Sequence, residues 1–303
     1  MLKKWFSIKN TALQFTNAIP SNDVNLKDLQ ATLLEMYEDV IQFCDQHQLD
    51  IFAVGGTSLG AIRHNGFIPW DDDIDLGMLR SDYSKFISLF ENSALSQKYI
   101  LKAPNYSQNN PNRFLQLYHK NTILKTIHNG SSPEWQMVFL DIFPYDSVND
   151  NKFIRTIKGV TSDALMLIAS CVGIVEKNDP TTKEMFYSSQ KGKINYQIRT
   201  LIGKIFSFRS HSQWFDIIDN FVKNDDQNSK FITSAMGSKH YLGEIISRDI
   251  VLPLRMQPFD KLSVKVFHKI EDYLTMLYGN TYMQIPEKKY THSVVYFEKV
   301  KTK

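Results

Sequence analysis

Cysteine is nearly missing from this 303-residue chain, which has only Cys44 and Cys171. They lie far apart and form no C-x-x-C pair, so a zinc finger is excluded and a reduced, cytosolic setting fits better than a disulfide scaffold. An excess of one charge sign is also missing. Lys and Arg total 35 against 32 Asp and Glu, and a formal net charge of +3 argues for no nucleic-acid partner. The longest apolar run, Ala164–Val175, falls short of the ~20 residues that a membrane span requires. It is expected to be a buried core helix, with a helix dipping into the membrane surface as the second reading. The N-terminal MLKKWFSIKNTALQF has lysines but no uninterrupted apolar core behind them, so it reads as a retained tail and not as a signal peptide. Lys3, Lys4, Trp5 and Phe6 offer a peripheral contact with anionic headgroups. The expected location is the cytoplasm or the inner face of the membrane. Two nucleotide fingerprints are missing as well: no G-x-G-x-x-G follows a strand, and no G-x-x-x-x-G-K-S/T is present.

What is present is an ordinary globular composition, 43% hydrophobic and 22% charged, enough for one large domain or a domain with an appended lobe. The chain is organised around Val54–Gly77, VGGTSLGAIRHNGFIPWDDDIDLG. Ile51–Val54 reads as a short buried strand. Gly55-Gly56-Thr57-Ser58 then makes a turn that allows close backbone approach, and a helix runs from Thr57 to about His64. A helix N-terminus at such a turn is a ready anion site. The acidic run Asp71-Asp72-Asp73-Ile74-Asp75 follows. In a strand over Ile74–Met78, Asp73 and Asp75 share one face while Ile74 and Leu76 enter the core. Adjacent carboxylates of this kind suit Mg²⁺ or Mn²⁺, which prefer oxygen ligands and accept phosphate as co-ligand. A calcium loop counted from Asp71 would need Gly at Leu76 and Glu at Asp82, so an EF-hand is unlike this run. The plain alternative is a solvated polar turn before an edge strand.

Elsewhere, Leu26, Leu29, Leu33, Met36, Tyr37, Val40, Ile41 and Cys44 fall at helical spacing within Asn25–His47. Ser81-Asp82 starts a helix over SDYSKFISLFEN. Tyr99–Ala103 and Arg113–His119 read as strands, Thr122–Ile127 as a strand pairing with the second in a hairpin, and His128–Pro133 as a break. Gln136–Phe143 is a buried strand carrying one acid, Asp141, which is costly to bury unless it has a cation or a hydrogen-bond donor. Between Lys152 and Asn224 three helices are expected, broken at Lys177–Thr182 and Ser207–Ser212, with Lys193, Arg199, Lys204 and Arg209 as basic positions. Asp249–Phe267 suggests two short strands, and His268–Gly279 a helix ending on glycine. The result is an α/β (α+β) class, a mixed sheet flanked by helices.

The stretch GGTSLGAIRHNGFIPWDDDIDLGMLRSDYSKF resembles the signature of the LicD family of phosphotransferases, to which fukutin and fukutin-related protein are also related. LDIFPYD resembles that family's second motif, and YLTMLYGNTYMQIPEKKYTHS its C-terminal motif, with His292 at the histidine. The family's usual basic residue a few positions before that histidine appears here only as Lys288, Lys289 and Tyr290. The resemblance spans about 30–146 and 250–296 and implies a nucleotidyltransferase-like fold with an inserted helical lobe. It divides the chain into a tail (1–24), a catalytic core (25–150), an acceptor-side lobe (151–248) and the core's C-terminal part (249–303).

The same resemblance implies transfer of a phospho-alcohol from a CDP-linked donor, CDP-choline first among them, to a glycan acceptor, with a lipid-linked glycan left open. Asp73, Asp75 and Asp141 are the implied metal and catalytic acids, Asp141 as ligand or as base. Gly55, Gly56, Thr57 and Ser58 would cradle the donor phosphates, and Arg63 and His64 either contact phosphate or sit on the helix surface. A choline headgroup calls for aromatic faces, and Trp70, Tyr118, Trp135 and Tyr145 adjoin the motifs, although core packing competes for each. Ribitol- or glycerol-phosphate transfer, NMP transfer, and a non-catalytic glycan- or nucleotide-binding member are the alternatives.

Overall fold

The structure is a computed structural model that describes residues 25–126, 136–287 and 294–300. Helix α1 (Leu26–Gln46) buries Leu29, Leu33, Met36, Tyr37, Val40 and Cys44 on one face, as their spacing predicts. Strand β1 (Phe52–Ala53) leads into α2 (Gly55–His64), and β2 (Asp75–Leu79) leads into α3 (Arg80–Phe90). A short helix α4 (Leu95–Lys98) precedes β3 (Tyr99–Lys102), followed by β4 (Leu115–His119), β5 (Thr122–Thr126) and β6 (Phe139–Val148). These build a curled mixed sheet in the order β1-β2-β6-β4-β3, in which only β2 and β6 run parallel.

Strand β6 runs five residues beyond the expected end, through Pro144. The Asp141 N–H donates across to Ile74 O beside β2. By alternation Pro144 faces the other side, where β4 has already ended at its Leu115–Ile142 pair. Its missing N–H therefore costs no ladder bond. The extra length of β6 then pairs with β7 (Phe231–Thr233), which pairs in turn with β8 (Ile246–Ser247).

Everything between β6 and β7 is an excursion from the sheet. It holds α5 (Lys152–Lys177), α6 (Pro180–Tyr187), α7 (Gln190–Phe206) and α8 (His211–Val222). The expected break after Lys177 thus contains a fourth helix, started by the Asp179 carboxylate on the Thr182 N–H and by Pro180 in the first turn. The lobe has its own core of Met166, Ala169, Val172, Trp214, Phe215, Ile218 and Val222, joined by Val148 and Tyr241 from the sheet side. Arg199 does not face outward as expected. It is buried, with Nε on Asn195 Oδ1 and Nη1 on Ser170 Oγ.

The chain returns through α9 (His240–Gly243) and α10 (Arg248–Val251) to the hairpin β9 (Arg255–Phe259) and β10 (Leu262–Val266), then α11 (Ile270–Tyr278), which ends on Gly279. Helix α11 seats Tyr273 and Leu274 in the sheet's core with Phe52, Phe267 and Val266. One expected pairing is corrected. Strand β5 does not form a hairpin with β4 but pairs with β11 (Val294–Lys299) in a separate ribbon. The Thr122 hydroxyl donates to His119 O and accepts from the Val138 N–H, so the chain turns off the sheet at Thr122 and β6 takes the place beside β4.

Lobe and sheet are tied by a buried ion cluster. Arg80 grips Asp146 through Nε and Nη2, both at 2.7 Å, and reaches Asp219 of α8 through Nη1 at 2.9 Å. Burial opposes the Arg80 charge, but Asp146 and Asp219 outweigh it and hold the guanidinium above its ordinary range.

Candidate active site

The site grows from the junction of β1, α2 and β2. Helix α2 begins at Gly55, two residues earlier than expected, so the Gly-Gly pair is the helix's first turn and not a loop before it. Gly55 has φ +53°, in the left-handed region that favours glycine. The requirement is also spatial: a Cβ on Gly55 would lie 2.9 Å from Asp75 Oδ2, and one on Gly56 would lie 3.1 Å from Asp71 Oδ2. Two carboxylates therefore lie hard against the N-terminal turn of α2.

The neighbouring hydroxyls hold this junction together. Thr57 Oγ1 accepts the Asp75 N–H at 2.8 Å, and Ser58 Oγ donates to Ala53 O at 2.7 Å. Both side chains are buried, so Thr57 and Ser58 lock α2 onto β2 and β1, and what they offer outward is backbone. The Gly55 N–H donates to the Tyr273 hydroxyl at 3.1 Å, and that hydroxyl lies 3.5 Å from Tyr145 OH. The Tyr145 ring packs edge-on against Phe52 and Phe267. Tyr145 is a core residue supporting the turn from beneath.

The acids divide into two sets. Asp71, Asp72 and Asp73 each place a carboxylate oxygen within 4.8 Å of the others. Asp75 opens β2 and is the register partner of Asp141 on the parallel strand β6. Ile74 and Leu76 are fully buried, as expected, but the strand begins only at Asp75, and Asp73, expected on its face with Asp75, lies before it and is itself buried. Gln30 of α1 fixes the acidic loop through a 2.9 Å bond to Asp71 O.

Asp141 is held by a relay along β4. Gln116 Nε2 donates to Asp141 Oδ1 at 2.6 Å, Tyr118 OH donates to Gln116 Oε1 at 2.5 Å, and Asn112 Nδ2 donates to Tyr118 OH at 2.9 Å. Burial raises the Tyr118 phenol to a point where it stays protonated. Tyr118 is thereby placed two bonds behind Asp141. Burial pulls the Arg113 guanidinium below the ordinary range, and the charges of Asp141 and Glu244 oppose that pull. Tyr278, at the end of α11, is 44% exposed, and its phenol is raised by lost solvation first, with Tyr273 and then Asp75, Asp71 and Asp73 adding to the shift.

Arg63 acts as a staple. Its Nη1 donates to Tyr282 O at 2.8 Å and Gln284 O at 3.2 Å, and its Nε to His64 Nε2 at 3.0 Å. Burial first, then Arg63 beside it, lowers the His64 imidazole. Trp70 is half-buried with its ring 6.4 Å from that of His64. Trp135, Lys288, Lys289, Tyr290 and His292 lie outside the described residues.

Of the residues singled out from sequence, the structure gathers Gly55, Gly56, Asp73, Asp75 and Asp141 at one end of β2 and β6, and puts Thr57, Ser58 and Tyr145 behind them. The sequence reading passed over Gln116, Arg113, Tyr273 and Tyr278. Gln116 carries a legible signal, since it sits two residues before Tyr118 and so shares its strand face. Tyr273 and Tyr278 lie inside the C-terminal motif, whereas Arg113 and Glu244 have no local signature.

The fold is thus α+β, with carboxylates of β2 and of the loop before it seated against a helix N-terminus and a further acid, Asp141, in register on the parallel strand β6. Residues 48–164 match the family described as LicD/FKTN/FKRP, nucleotidyltransferase domain, and the chain thus carries a LicD-family domain. The chain is similar over 88% of its length to the lipopolysaccharide cholinephosphotransferase LicD of Haemophilus influenzae, with 24% identity over 273 residues, or 94% of that protein. Shorter matches, 34% over 55 residues and 35% over 51 residues, join it to uncharacterized proteins of Rickettsia typhi and Rickettsia prowazekii, covering under a fifth of each.

Proposed function

We propose that this protein is a metal-dependent transferase that moves phosphocholine from CDP-choline to a cell-surface glycan precursor. Lipopolysaccharide is the first acceptor to test, because the Haemophilus relative is named for it; teichoic acid and capsule follow. The observation that carries the reading is the seating of Asp75 and Asp71 against Gly55 and Gly56 at the start of α2. Backbone N–H groups there favour a phosphate, and the acids beside them favour a cation that bridges to it.

The residues suit a hard divalent ion. All the side-chain donors are carboxylate oxygens, and those of Asp71, Asp72 and Asp73 lie within 4.8 Å of one another. Asp73 and Asp75 would hold Mg²⁺ or Mn²⁺, with Asp71 and Asp72 adjoining and Asp141 kept for the acceptor proton, and the ion would supply charge neutralisation for the donor pyrophosphate and the departing CMP. The first turn of α2 orients the donor phosphates, and Arg113 adds positive charge beside Asp141. The acceptor hydroxyl oxygen forms a bond to the choline-bearing phosphorus. The bond from that phosphorus to the bridging oxygen breaks, its electron pair leaves with CMP, and Asp141 accepts the hydroxyl proton. Gln116 and Tyr118 fix the carboxylate for this step. Trp70, half-buried and next to Asp71 in the chain, and Tyr278, 44% exposed at the end of α11, are the aromatic candidates for the quaternary ammonium.

CMP release from CDP-choline, CDP-ribitol, CDP-glycerol and CDP-ethanolamine with Mg²⁺ or Mn²⁺ tests the reading. CDP-choline should win, and Asp73→Asn should abolish turnover while the fold survives. Full activity in Asp73→Asn would remove the metal assignment, and preference for another CDP-alcohol would replace the transferred group.

A further inference from the structure

The helical lobe exposes an apolar surface that the chemistry above does not use. Ile194, Leu201, Ile205 and Phe208 line one face of α7 and the turn after it, at helical spacing. Leu201 and Ile205 are each 61% exposed and Phe208 70%. The stretch 190–209 carries Lys191, Lys193, Lys204 and Arg209 on the surface and no Asp or Glu. At about 100° per residue, Lys193 and Lys204 flank one side of the apolar stripe and Lys191 the other. On α5, Phe153, Ile154, Ile157 and Val160 are exposed at the same kind of spacing, with Lys152 beside them and Phe153 at 73%. The two helices touch: a Cβ on Gly203 of α7 would lie 2.3 Å from Cys171 O of α5. Single exposed apolar residues are ordinary, but eight large ones concentrated on two neighbouring helices mark a contact surface.

Helix α5 is, among the described residues, the one helix long and apolar enough to cross a bilayer, yet it buries Gly159, Cys171, Val172 and Gly173 in the lobe. It is thereby a packed helix with one face left over. We propose that this face and the α7 stripe dock on the headgroup region of an anionic lipid bilayer. The apolar side chains enter below the phosphates and the flanking lysines pair with them. Charge selects this occupant. A second copy of the chain meeting the surface across a two-fold axis would set one lysine-flanked stripe against another. The inference does not depend on which donor the site uses.

The test is co-sedimentation of the full chain with vesicles of phosphatidylcholine alone or mixed with phosphatidylglycerol. The protein should partition to the anionic vesicles and be released by high salt. Lys191→Gln/Lys193→Gln/Lys204→Gln should weaken that partition on the order of 100-fold, since each juxtaposed lysine contributes roughly a factor of five. Leu201→Ser/Ile205→Ser should weaken it at low salt although every lysine is kept, with thermal melting unchanged in either variant. Absence of sedimentation with anionic vesicles, or wild-type partition by both variants, overturns the proposal. A dimer that Leu201→Ser/Ile205→Ser dissociates, without vesicle binding, overturns it in favour of a second copy.

Discussion

Gly55→Ala is the most informative single change in the site, because its cost is set by two independent facts. The residue sits at φ +53°, where a side chain costs about 1–2 kcal/mol. Its new methyl would also lie 2.9 Å from Asp75 Oδ2, closer than real Cβ contacts allow, so the carboxylate or the helix start must move by roughly 0.5 Å to restore ordinary contact distances near 3.5 Å. The backbone term lowers stability by an amount that a domain of this size survives. The displacement acts on catalysis, since misplacing a reacting group by about 1 Å costs on the order of 100-fold in rate. The account therefore predicts a modest fall in the urea midpoint and a loss of roughly 10- to 100-fold in CMP release from CDP-choline. Thr57→Ala gives a comparison, as it frees the Asp75 N–H without pressing on the carboxylate. A Gly55→Ala enzyme with wild-type turnover would refute the idea that the contact between Asp75 and the start of α2 is part of the active arrangement.

Three further outcomes follow from the packing. Gln116→Leu removes the 2.6 Å bond to Asp141; a hydrogen bond to a charged group is worth about 1.5–3 kcal/mol, so turnover should fall about 10- to 100-fold with the melting curve little changed. Arg80→Met leaves Asp146 and Asp219 buried without their cation and should cost about 3–5 kcal/mol in urea unfolding, a penalty that Arg80→Met/Asp146→Leu partly recovers. His211 has its imidazole lowered to about 4 by burial and by Lys177, so the folded state prefers it neutral while the unfolded chain takes up a proton near pH 6.5. Stability should thus decline as the pH falls from about 6.5 to 4, by on the order of 2–3 kcal/mol at most, and His211→Gln should flatten that window.

The elements with strong local signals were legible in the sequence. The periodicity of α1, the burial of Ile74 and Leu76 and the glycine stop after Tyr278 appear where their side-chain patterns put them, and the strand-to-helix passage after Val54 is present with its helix begun two residues early. Features that depend on distant chain were not legible. Strand β5 has the composition of a hairpin partner, but its mate is β11 at the far end of the chain. The Arg80–Asp146–Asp219 cluster joins three separate elements, and nothing near Arg80 announces Asp219. In the site, the acids could be named because they stand in a short acidic run or alone in an apolar strand, while their supports could not. Tyr273 reaches Gly55 across more than two hundred residues, and the burial of Tyr145 follows from Phe52 and Phe267 closing on it. Tyr145 shows the general difficulty: an aromatic beside a motif in sequence is core or pocket depending on which face the sheet turns inward.

The central claim is that the group transferred is phosphocholine and the group released is CMP. Its most direct test is mass analysis of the glycan product after incubation with CDP-choline in which the choline and the cytidine carry different isotopic labels. The account predicts choline label on the glycan, linked through phosphate, and cytidine label recovered as free CMP in equal amount. Cytidine label on the glycan with free phosphocholine would contradict it, and would make the protein a transferase of the nucleotide instead.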